Sequence, residues 1–522
     1  MSSGFETRLN ALVAGARGVL GGGLRGIEKE SLRLDMDGYL SRTSHPDRLG
    51  SALTNHFVTT DFSEALLEFV TPAFASTWEA LRFLCDIHQF AYKHLGEELL
   101  WTASMPCRIP TDAEIPLARY GTSNVGRMKT IYRRGLGFRY GRQMQTIAGV
   151  HFNYSLPESF WPHYQAIMGD DRNEDEFRSD LYLALVRNFR RFGWLVLYLF
   201  GASPAMCKSF AGAGKLDMPS LNAETWYEPF GTSLRMSDLG YSNKNQSRIN
   251  ISLNSLDGYI RDLRNAIRTP EPDYEKIGVK VDGHYRQLSA NRLQIENEYY
   301  SPIRPKRVAR SGERPTAALR RGGIEYVEIR SLDINISDPA GVNQNTMRVI
   351  EAFLIYCLLE ESPHLDEASC DECTRNQAYT AKQGRNPELR LLRDGNEVTL
   401  ASWGSEILHK VSAVAELIDG AEGGESYSQA VRSMLDLVEE PAATPSAQLL
   451  EELKSAKCSF FDYALSVAQN HRDYFASITP LSKARQEEFE QEAARSIEQQ
   501  QEIESGDEIS LEEYLANYFS SD

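Results

Sequence analysis

The sequence predicts an α+β fold, and three observations support this prediction. Stretches in which polar and apolar residues alternate lie in the first two thirds of the chain, helical patterns are interspersed among them, and the pattern becomes helical from about residue 400 onward. The strands lack the regular alternation with helices that is typical of a doubly wound parallel sheet. A length of 522 residues would ordinarily suggest about two to four domains.

The first predicted strand is GIEKESLRL, residues 26–34, which leaves a glycine-rich turn. Residues two apart in an extended chain point to the same side, so Glu28 and Glu30 place two carboxylates on one face. Like charges at this distance disfavour each other's ionised form. The strand therefore needs a partner that relieves the repulsion.

A helix is predicted over residues 76–100, which open with the capping-box pattern of Ser76 and Glu79. Its residues at helical spacing are Leu81, Leu84, Cys85, His88 and Tyr92. We expect His88 to belong to the packed or half-exposed face of this helix, without a chemical role.

Two later strands carry polar faces. The stretch GVHFNYSLP, residues 149–157, directs His151 and the alternate polar residues to one side. The stretch GGIEYVEIRSLDIN, residues 322–335, places Glu328 and Arg330 on one face. We expect both polar faces to line a site.

The most apolar run, FGWLVLYLFGASPAMC at residues 192–207, is interrupted by glycine and proline. It is shorter than the roughly 18 to 20 residues of a membrane-spanning helix, so we interpret it as a buried helix or strand. At the other end of the chain, residues 481–522 hold twelve acidic residues against three basic ones. We expect this tail to be a solvated helix with a frayed end and no function.

The formal net charge of −17 argues against nucleic acid or an anionic membrane as the main partner, because both select basic surfaces. The N-terminal segment MSSGFETRLNALVAGARG lacks the charged and apolar regions of a secretory signal. We therefore expect a cytoplasmic protein. Seven cysteines, an odd number scattered over the chain, do not indicate a disulfide framework. Cys370 and Cys373 form a lone CxxC, which we interpret as two loop thiols and not as half of a zinc site.

Several acidic residues are embedded among apolar ones and must be paired or bound to metal, because an isolated buried charge is unfavourable. Glu64 and Glu325 fall on the opposite phase from their neighbours and are expected to have no ligand role. The remaining donors are Glu28, Glu30, Asp61, Glu68, His151 and Glu328. This oxygen-rich set suits more than one Mg²⁺ or Mn²⁺ ion better than zinc. An ion-pair network with nearby arginines is an equally open interpretation.

A basic and aromatic stretch lies between Glu114 and Glu158, where no acidic residue occurs. It contains Arg119, Arg127, Lys129, Arg133, Arg134, Arg139 and Arg142, interleaved with Tyr120, Tyr132 and Tyr140. Residues 299–315 form a second, loop-like basic segment. RNA binding would use such residues, but no RNA-binding signature accompanies them, so a phosphate or small carboxylate substrate is favoured. No Walker A sequence occurs, so any ATP must be held through magnesium and arginines.

Seven segments carry a resemblance to a known family. They are VTTDFSEALLEFVTP, YGTSNVGRMKTIYRRGL, GVHFNYSLP, FGASPA, TSLRMSDLGYSNK, LQIENEYYSPIRPKR and RGGIEYVEIRSLDIN, in this order. They resemble glutamate-cysteine ligases (γ-glutamylcysteine synthetases) of the proteobacterial type, from about residue 20 to beyond residue 480. This family belongs to the carboxylate-amine ligases, whose fold is similar to that of glutamine synthetase.

The resemblance implies a strongly curved, mostly antiparallel sheet that forms a funnel-shaped active site and is backed by helices. It favours one large domain over the several that the length suggests. Residues 1–400 would form the glutamine synthetase-like catalytic core. Residues 401–522 would form a helical C-terminal portion with the acidic tail, packed on the same domain.

The resemblance also implies an activity, namely ATP-dependent ligation of the γ-carboxylate of L-glutamate to the amine of L-cysteine through a γ-glutamyl phosphate, the first step of glutathione biosynthesis. The six donors named above match the family's magnesium ligands, and Arg330 would bind the transferred phosphate. The family's cysteine pocket is matched by Tyr132, Leu136, Gln145, Arg235, Tyr241 and Tyr300. Glutathione is implied as a feedback inhibitor. A different amine acceptor, or a catalytically silent metal- or nucleotide-binding protein, remain the alternatives.

Overall fold

The computed structural model describes residues 4–15, 18–109, 111–210, 217–239, 249–310 and 312–520. Its strands are β1 (Leu24–Leu34), β2 (Val58–Thr60), β3 (Leu66–Val70), β4 (Leu99–Leu100), β5 (Val150–Ser155), β6 (Ala205–Cys207), β7 (Thr225–Tyr227), β8 (Lys280–Val281), β9 (His284–Tyr285), β10 (Ile303–Lys306), β11 (Tyr326–Leu332), β12 (Arg390–Arg393) and β13 (Asn396–Thr399).

The helices of the first part of the chain are α1 (Gly4–Gly15), α2 (Thr77–His94), α3 (Asn124–Tyr140), α4 (Phe160–Met168), α5 (Glu174–Phe192), α6 (Trp194–Phe200), α7 (Leu256–Ala266), α8 (Pro272–Ile277), α9 (Pro315–Gly322), α10 (Gln344–Leu359) and α11 (Glu367–Gln383). The later helices are α12 (Leu400–Glu422), α13 (Ser426–Glu439), α14 (Pro445–Ala456), α15 (Phe460–Ser477), α16 (Lys483–Ser505) and α17 (Leu511–Ser520).

Seven of the described strands form the main sheet. Six of them follow the spatial order β10-β11-β5-β1-β3-β2, and β4 pairs with the far end of β1. Every neighbouring pair in this sheet is antiparallel. Helices α2 and α6 pack against strands β1 and β11. The predicted α+β class with a large antiparallel sheet is confirmed.

Helix α2 begins where the sequence predicts, because the Ser76 hydroxyl accepts the backbone N–H of Trp78 and caps the first turn. It ends at His94 and not at residue 100, so the predicted end is wrong. Gly96 takes a left-handed conformation with φ of 62°, which turns the chain out of the helix. The residues beyond this glycine then pair with β1 as strand β4.

The apolar run at residues 192–207 is buried, as predicted, and forms helix α6 and strand β6. Among the described helices, none combines the length and the apolar character that crossing a membrane requires. Most of the buried apolar side chains belong to one continuous core, which extends from Phe5 of α1 to Phe489 of α16. The boundary near residue 400 stays a prediction.

Cys107 and Cys207 form one disulfide, which their separation of 100 residues did not indicate and which is not a disulfide framework. Two local predictions are wrong. Cys370 and Cys373 lie on helix α11 and not in a loop, because Asp366 caps the helix just before them. The tail is not simply solvated, since α17 buries Leu511 and Leu515 against other parts of the protein.

Candidate active site

A cavity of about 1080 Å³ lies over one face of the main sheet. Strands β1, β3 and β11 contribute acidic residues to its wall, and helix α3 and strand β10 contribute basic and aromatic ones. The cavity is large enough for a nucleotide together with small substrates.

The strand pairing brings carboxylates from distant parts of the chain together. Glu28 lies opposite His151 of β5, and Glu30 lies opposite Glu68 of β3. Glu328 occupies β11, the strand on the other side of β5. Because side chains alternate across a strand, these groups share the face that carries the cavity.

His151 is the centre of this acidic cluster. Its Nδ1 lies 3.0 Å from Oε2 of Glu28 and 3.7 Å from Oε1 of Glu328, and its Nε2 lies 3.8 Å from Oε1 of Glu30. Donor atoms of Glu28, Glu68 and His151 all lie within 4.8 Å of one another. One ion could therefore be reached by three side chains at once.

The donor atoms of the cluster fit a divalent cation. Nε2 of His151 and Oε2 of Glu328 are buried and make no hydrogen bond. With Nδ1–H directed at the carboxylate of Glu28, a neutral imidazole keeps its lone pair on Nε2, where it can bind a metal. A set with one imidazole and several carboxylates is typical of Mg²⁺ or Mn²⁺ sites.

Burial and mutual repulsion shift the pKa values of the clustered carboxyls. Burial raises the pKa of Glu30, and it raises the pKa of Glu68 well above the ordinary carboxyl value. The neighbouring charge of Glu28 disfavours the ionised form of Glu68 further. A bound cation would reverse this effect, because it favours the charged carboxylates.

Glu328 connects the acidic cluster to a cationic wall. Its Oε1 accepts a hydrogen bond of 2.9 Å from Arg330, and its Oε2 lies 3.4 Å from Nζ of Lys306. Burial alone would raise the pKa of Glu328, but the charges of Lys306 and Arg330 outweigh it and hold this pKa well below the usual range. The ionised form of Glu328 is thus favoured at its position between cations and carboxylates.

Asp61 stands at the edge of the cluster, with its side chain 44% exposed and one oxygen 3.7 Å from Arg133. We expected Glu64 and Glu325 to have no ligand role, and both carboxylates accept hydrogen bonds from backbone N–H groups. Glu325 accepts from Val308 at 3.1 Å. Glu64 accepts from His45 and Arg119, both at 2.9 Å.

Four of the predicted substrate-pocket residues line the cavity, namely Tyr132, Leu136, Gln145 and Tyr300. Arg235 is buried and is absent from the cavity wall as the described residues form it. Its NH2 group donates to the backbone carbonyl of Arg330 at 2.9 Å, so Arg235 stabilises the backbone of strand β11. Tyr241 lies outside the described residues.

The predicted basic surface contributes fewer cations to the cavity than the sequence suggested. Lys129, Arg133 and Arg139 line the cavity, and Arg139 is paired with Glu298 at 2.8 Å. Arg134 and Arg142 instead donate to backbone carbonyls. The cationic side of the cavity therefore depends as much on β10 and β11 as on helix α3.

Sequence reasoning missed another part of the cavity wall, which consists of Glu296, Thr316, Tyr514 and Tyr518. The two tyrosines lie on α17, in the tail that we predicted to have no function. Their spacing of four residues, beside the buried Leu511 and Leu515, is the signal that could have indicated a packed helix.

The chain matches known proteins over nearly its whole length. The sequence model of a family described as glutamate-cysteine ligase matches residues 9–380. The glutamate-cysteine ligase of Alcanivorax borkumensis is 49% identical over 99% of both chains. The glutamate-cysteine ligase of Pseudomonas putida strain W619 is 45% identical over 95% of both chains.

Two solved structures are similar in fold. A crystal structure of glutamate-cysteine ligase from Francisella tularensis in complex with AMP is 35% identical, with a TM-score of 0.90, and covers 95% of this chain and 97% of that one. A bifunctional glutathione synthetase from Pasteurella multocida is 24% identical, with a TM-score of 0.73 over 91% of this chain and 55% of that one. This second likeness concerns the fold alone.

An antiparallel sheet under an acidic cavity with a cationic wall, together with these relatives, defines an enzyme of the ligase class. Within that class, the chain belongs to the glutamate-cysteine ligase family.

Proposed function

We propose that this protein joins the γ-carboxylate of L-glutamate to the amine of L-cysteine at the expense of ATP, through a γ-glutamyl phosphate, as the first step of glutathione biosynthesis. The observation that carries the proposal is the cluster around His151, in which buried donor atoms that make no hydrogen bond meet carboxylates beside Arg330 and Lys306. The names of the relatives support the same reaction.

Glu28, Glu68 and His151 would hold one divalent cation, and Glu30, Asp61 and Glu328 would complete the cluster for a further one. Mg²⁺, or alternatively Mn²⁺, would neutralise the negative charge shared by the ATP phosphates and the substrate carboxylate. Before the cation is bound, burial raises the pKa values of Glu30 and Glu68 and disfavours the ionised forms of these carboxyls.

Arg330 is the residue that we assign to the transferred phosphoryl group. It lines the cavity, and its NH1 group donates to Glu328, so its position is fixed relative to the metal ligands. The planar guanidinium can donate two parallel hydrogen bonds to phosphate oxygens. Arg330 would therefore orient the phosphoryl group toward the glutamate carboxylate and stabilise its charge during transfer.

The cysteine would lie against Tyr132, Leu136, Gln145 and Tyr300, which form the less charged part of the wall. Aromatic and aliphatic side chains there exclude water and protect an acyl phosphate from hydrolysis. The cysteine carboxylate would be contacted by Arg235, whose NH2 group also donates to the carbonyl of Arg330.

Glutathione contains the γ-glutamylcysteine product within its own structure, so we propose that it competes for the same cavity. We place the reaction in the cytoplasm, where ATP and reduced cysteine are both present.

The test is a phosphate- and ADP-release assay with Mg-ATP, glutamate and cysteine, in which each component is omitted in turn. We expect release to depend on all three and on the divalent cation. Cysteine is then replaced by 2-aminobutyrate and by unrelated amines. Faster release with an unrelated amine would move the assignment to a ligase with another acceptor, and no release with any amine would indicate a silent binding protein.

A further inference from the structure

Three of the seven segments quoted above for their family resemblance meet at one buried carboxylate. They are FGASPA, TSLRMSDLGYSNK and RGGIEYVEIRSLDIN. The proposed function uses Arg235 of the second segment and Arg330 of the third, but no residue of the first. The side chain that joins all three is Asp333, which directly follows strand β11.

Asp333 is 5% exposed and accepts three hydrogen bonds. Its Oδ2 accepts from the backbone N–H of Ala202 at 2.9 Å and from the hydroxyl of Ser203 at 2.6 Å, and its Oδ1 accepts from the hydroxyl of Ser233 at 2.9 Å. Burial raises the pKa of Asp333, and the charge of Arg235 and these three donors act against the rise. The carboxylate thus connects residues 202–203 and residue 233 to the end of β11.

The backbone that carries Arg235 is fixed on two sides. On one side, the N–H of Ser233 donates to the carbonyl of Ala381 at 3.1 Å. On the other side, the N–H of Leu234 donates to the carbonyl of Ser203 at 2.7 Å, and the N–H of Arg235 donates to the hydroxyl of Ser203 at 3.4 Å. This is the same hydroxyl that donates to the buried carboxylate, so the position of the arginine depends on that carboxylate.

The guanidinium of Arg235 lies beside Asp333 and beside the acidic cluster. Its NH1 lies 3.9 Å from Oδ1 of Asp333. Its NH2 lies so close to Gly149 that a Cβ at position 149 would collide with it. The N–H of Gly149 in turn donates to Oε2 of Glu30 at 2.7 Å. Asp333 is therefore an anionic partner of a cation that reaches the edge of the proposed metal site.

Met236 joins this guanidinium to the cavity wall. Its Sδ accepts from NH1 of Arg235 at 3.2 Å and from the hydroxyl of Tyr300 at 3.2 Å. Tyr300 lines the cavity where we place the cysteine. A substrate carboxylate beside Tyr300 would thus lie near the guanidinium, which has N–H groups left to donate.

We propose that Asp333 is a positioning residue for the amine substrate. It fixes the backbone of Arg235 through Ser203 and Ser233, and its charge orients the guanidinium toward the carboxylate of the acceptor. The inference rests on the proposed function for the role of Arg235. It assigns the preference for an α-amino acid over a plain amine to Asp333, acting through Arg235.

The first test is the variant Asp333→Asn. The amide keeps the size of the side chain and can still accept one of the hydroxyl hydrogen bonds, but the charge beside Arg235 is lost. We expect the KM for cysteine to rise about tenfold, and the KM values for glutamate and ATP to stay within about twofold of wild type. An unchanged KM for cysteine, or an equal rise of all three KM values, would overturn the proposal.

The second test varies the carboxylate of the acceptor. Cysteamine is cysteine without its carboxylate, whereas 2-aminobutyrate keeps the carboxylate and lacks the thiol. In Asp333→Asn, we expect the KM for 2-aminobutyrate to rise as much as that for cysteine, while the inhibition constant of cysteamine against cysteine stays unchanged. A general distortion of the pocket would weaken both compounds equally, and that result would refute a role through Arg235.

A matched control is Asp419→Asn. Asp419 is also buried, and it accepts from the backbone N–H groups of Tyr427 and Ser428 and from the hydroxyl of Ser428, at 2.6 to 2.9 Å. It lies on helix α12 and holds the start of α13. We expect this variant to keep the wild-type KM for cysteine, and a rise equal to that in Asp333→Asn would contradict the proposal.

Ser233→Ala decides the question if Asp333→Asn does not fold. It leaves the carboxylate in place and removes the donor to Oδ1, the oxygen nearest Arg235. We expect the KM for cysteine to rise about threefold, again without a change for cysteamine. Equal effects on the two compounds would overturn the proposal here as well.

The failure of this inference differs from the failure of the proposed function. Wild-type protein that shows no cysteine-dependent ADP release would refute the proposed function. Wild-type protein that ligates cysteine, together with an Asp333→Asn variant whose KM for cysteine is unchanged, would refute only the role of Asp333.

Discussion

The two faces of strand β1 accommodate buried charge in opposite ways. Glu28 and Glu30 point to the cavity, where they meet other carboxylates and His151. Lys29, between them, points to the helices and lies 3.0 Å from Nε2 of His88 on α2. Lys29 and Glu30 are both buried, at 3% and 2% exposed, so the contrast between these two neighbours comes from their partners and not from exposure.

On the helix side, burial lowers the pKa values of the basic side chains and so favours their neutral forms. Burial lowers the pKa of Lys29 to about 7, and burial together with Lys29 holds the pKa of His88 well below its ordinary value. His88 directs Nδ1 to the carbonyl of Leu84 at 2.8 Å and can accept from Lys29 at Nε2. We expected His88 to be packed or half-exposed, and the structure places it fully inside, because α2 lies flat against β1.

On the cavity side, several carboxylates lie close together, and we propose that an external cation stabilises their charge. The carboxylates remain close to one another, and Glu328 has two cationic side chains beside it, Lys306 and Arg330. The difference teaches that clustered carboxylates without enough cationic partners are the feature by which one face of a buried strand can be proposed as the functional one.

The largest expected effect comes from neutralising the cavity face. Glu328→Gln keeps the shape of the side chain but removes the charge of one proposed metal ligand, which is also the anionic partner of Arg330 and Lys306. We expect kcat to fall about a thousandfold or more, with an unchanged circular dichroism spectrum. The measurement is ADP release with saturating Mg-ATP, glutamate and cysteine.

The control for this variant is Glu325→Gln, which lies three residues earlier and whose carboxylate accepts only a backbone N–H from Val308 at 3.1 Å among the described contacts. We expect nearly wild-type turnover. Normal ADP release by Glu328→Gln would refute the assignment of the cluster.

A smaller effect is expected where the charge is kept but its geometry is changed. Arg330→Lys retains the cation beside Glu328 and loses the planar donor pair, so we expect kcat to fall about a hundredfold with a smaller change in the KM for glutamate. Steady-state kinetics measure both parameters. Arg432→Lys, at an exposed position of α13, serves as the control, and an equal loss in both variants would show that the effect is not specific to the cavity.

The smallest expected effect concerns the side of strand β1 that faces the helices. It is a change in the free energy of unfolding. Burial, and then the charge of Lys29, lower the pKa of His471 on α15 to about 4. An unfolded histidine has a pKa near 6.5, so the unfolded state binds the proton first and the folded state loses stability as the pH falls from about 6.5 to about 4. From pH 7 to pH 5 this amounts to about 2 kcal/mol.

We therefore expect His471→Leu to lose less stability than wild type between pH 7 and pH 5, by up to about 2 kcal/mol, in urea unfolding followed by fluorescence. His409→Leu changes an exposed histidine of α12 and should keep the wild-type pH dependence. Identical pH dependence in wild type and His471→Leu would refute the neutral state of this buried histidine.

Much of the cavity face could be predicted from the sequence, because it follows from local rules. The spacing of Glu28 and Glu30 in a strand fixes that they share one face, and the same rule relates Glu328 to Arg330. The metal-binding role of these residues remains a proposal, but the structure does bring them together. The tail could not be predicted in the same way, since helical periodicity describes which residues of α17 are apolar but not which surface they contact.

The sequence by itself determined the secondary structure of the strands that carry the carboxylates, the helical character of the C-terminal part and, through its motifs, the family. These features depend on residues that are neighbours along the chain. The tertiary structure alone decided three contacts. Arg235 donates to the backbone of β11, Lys29 contacts His88 on the helix side of the sheet, and Tyr518 and Glu296 line the same cavity. Such contacts join residues far apart in the chain, and they depend on how whole helices and strands pack, which no local pattern records.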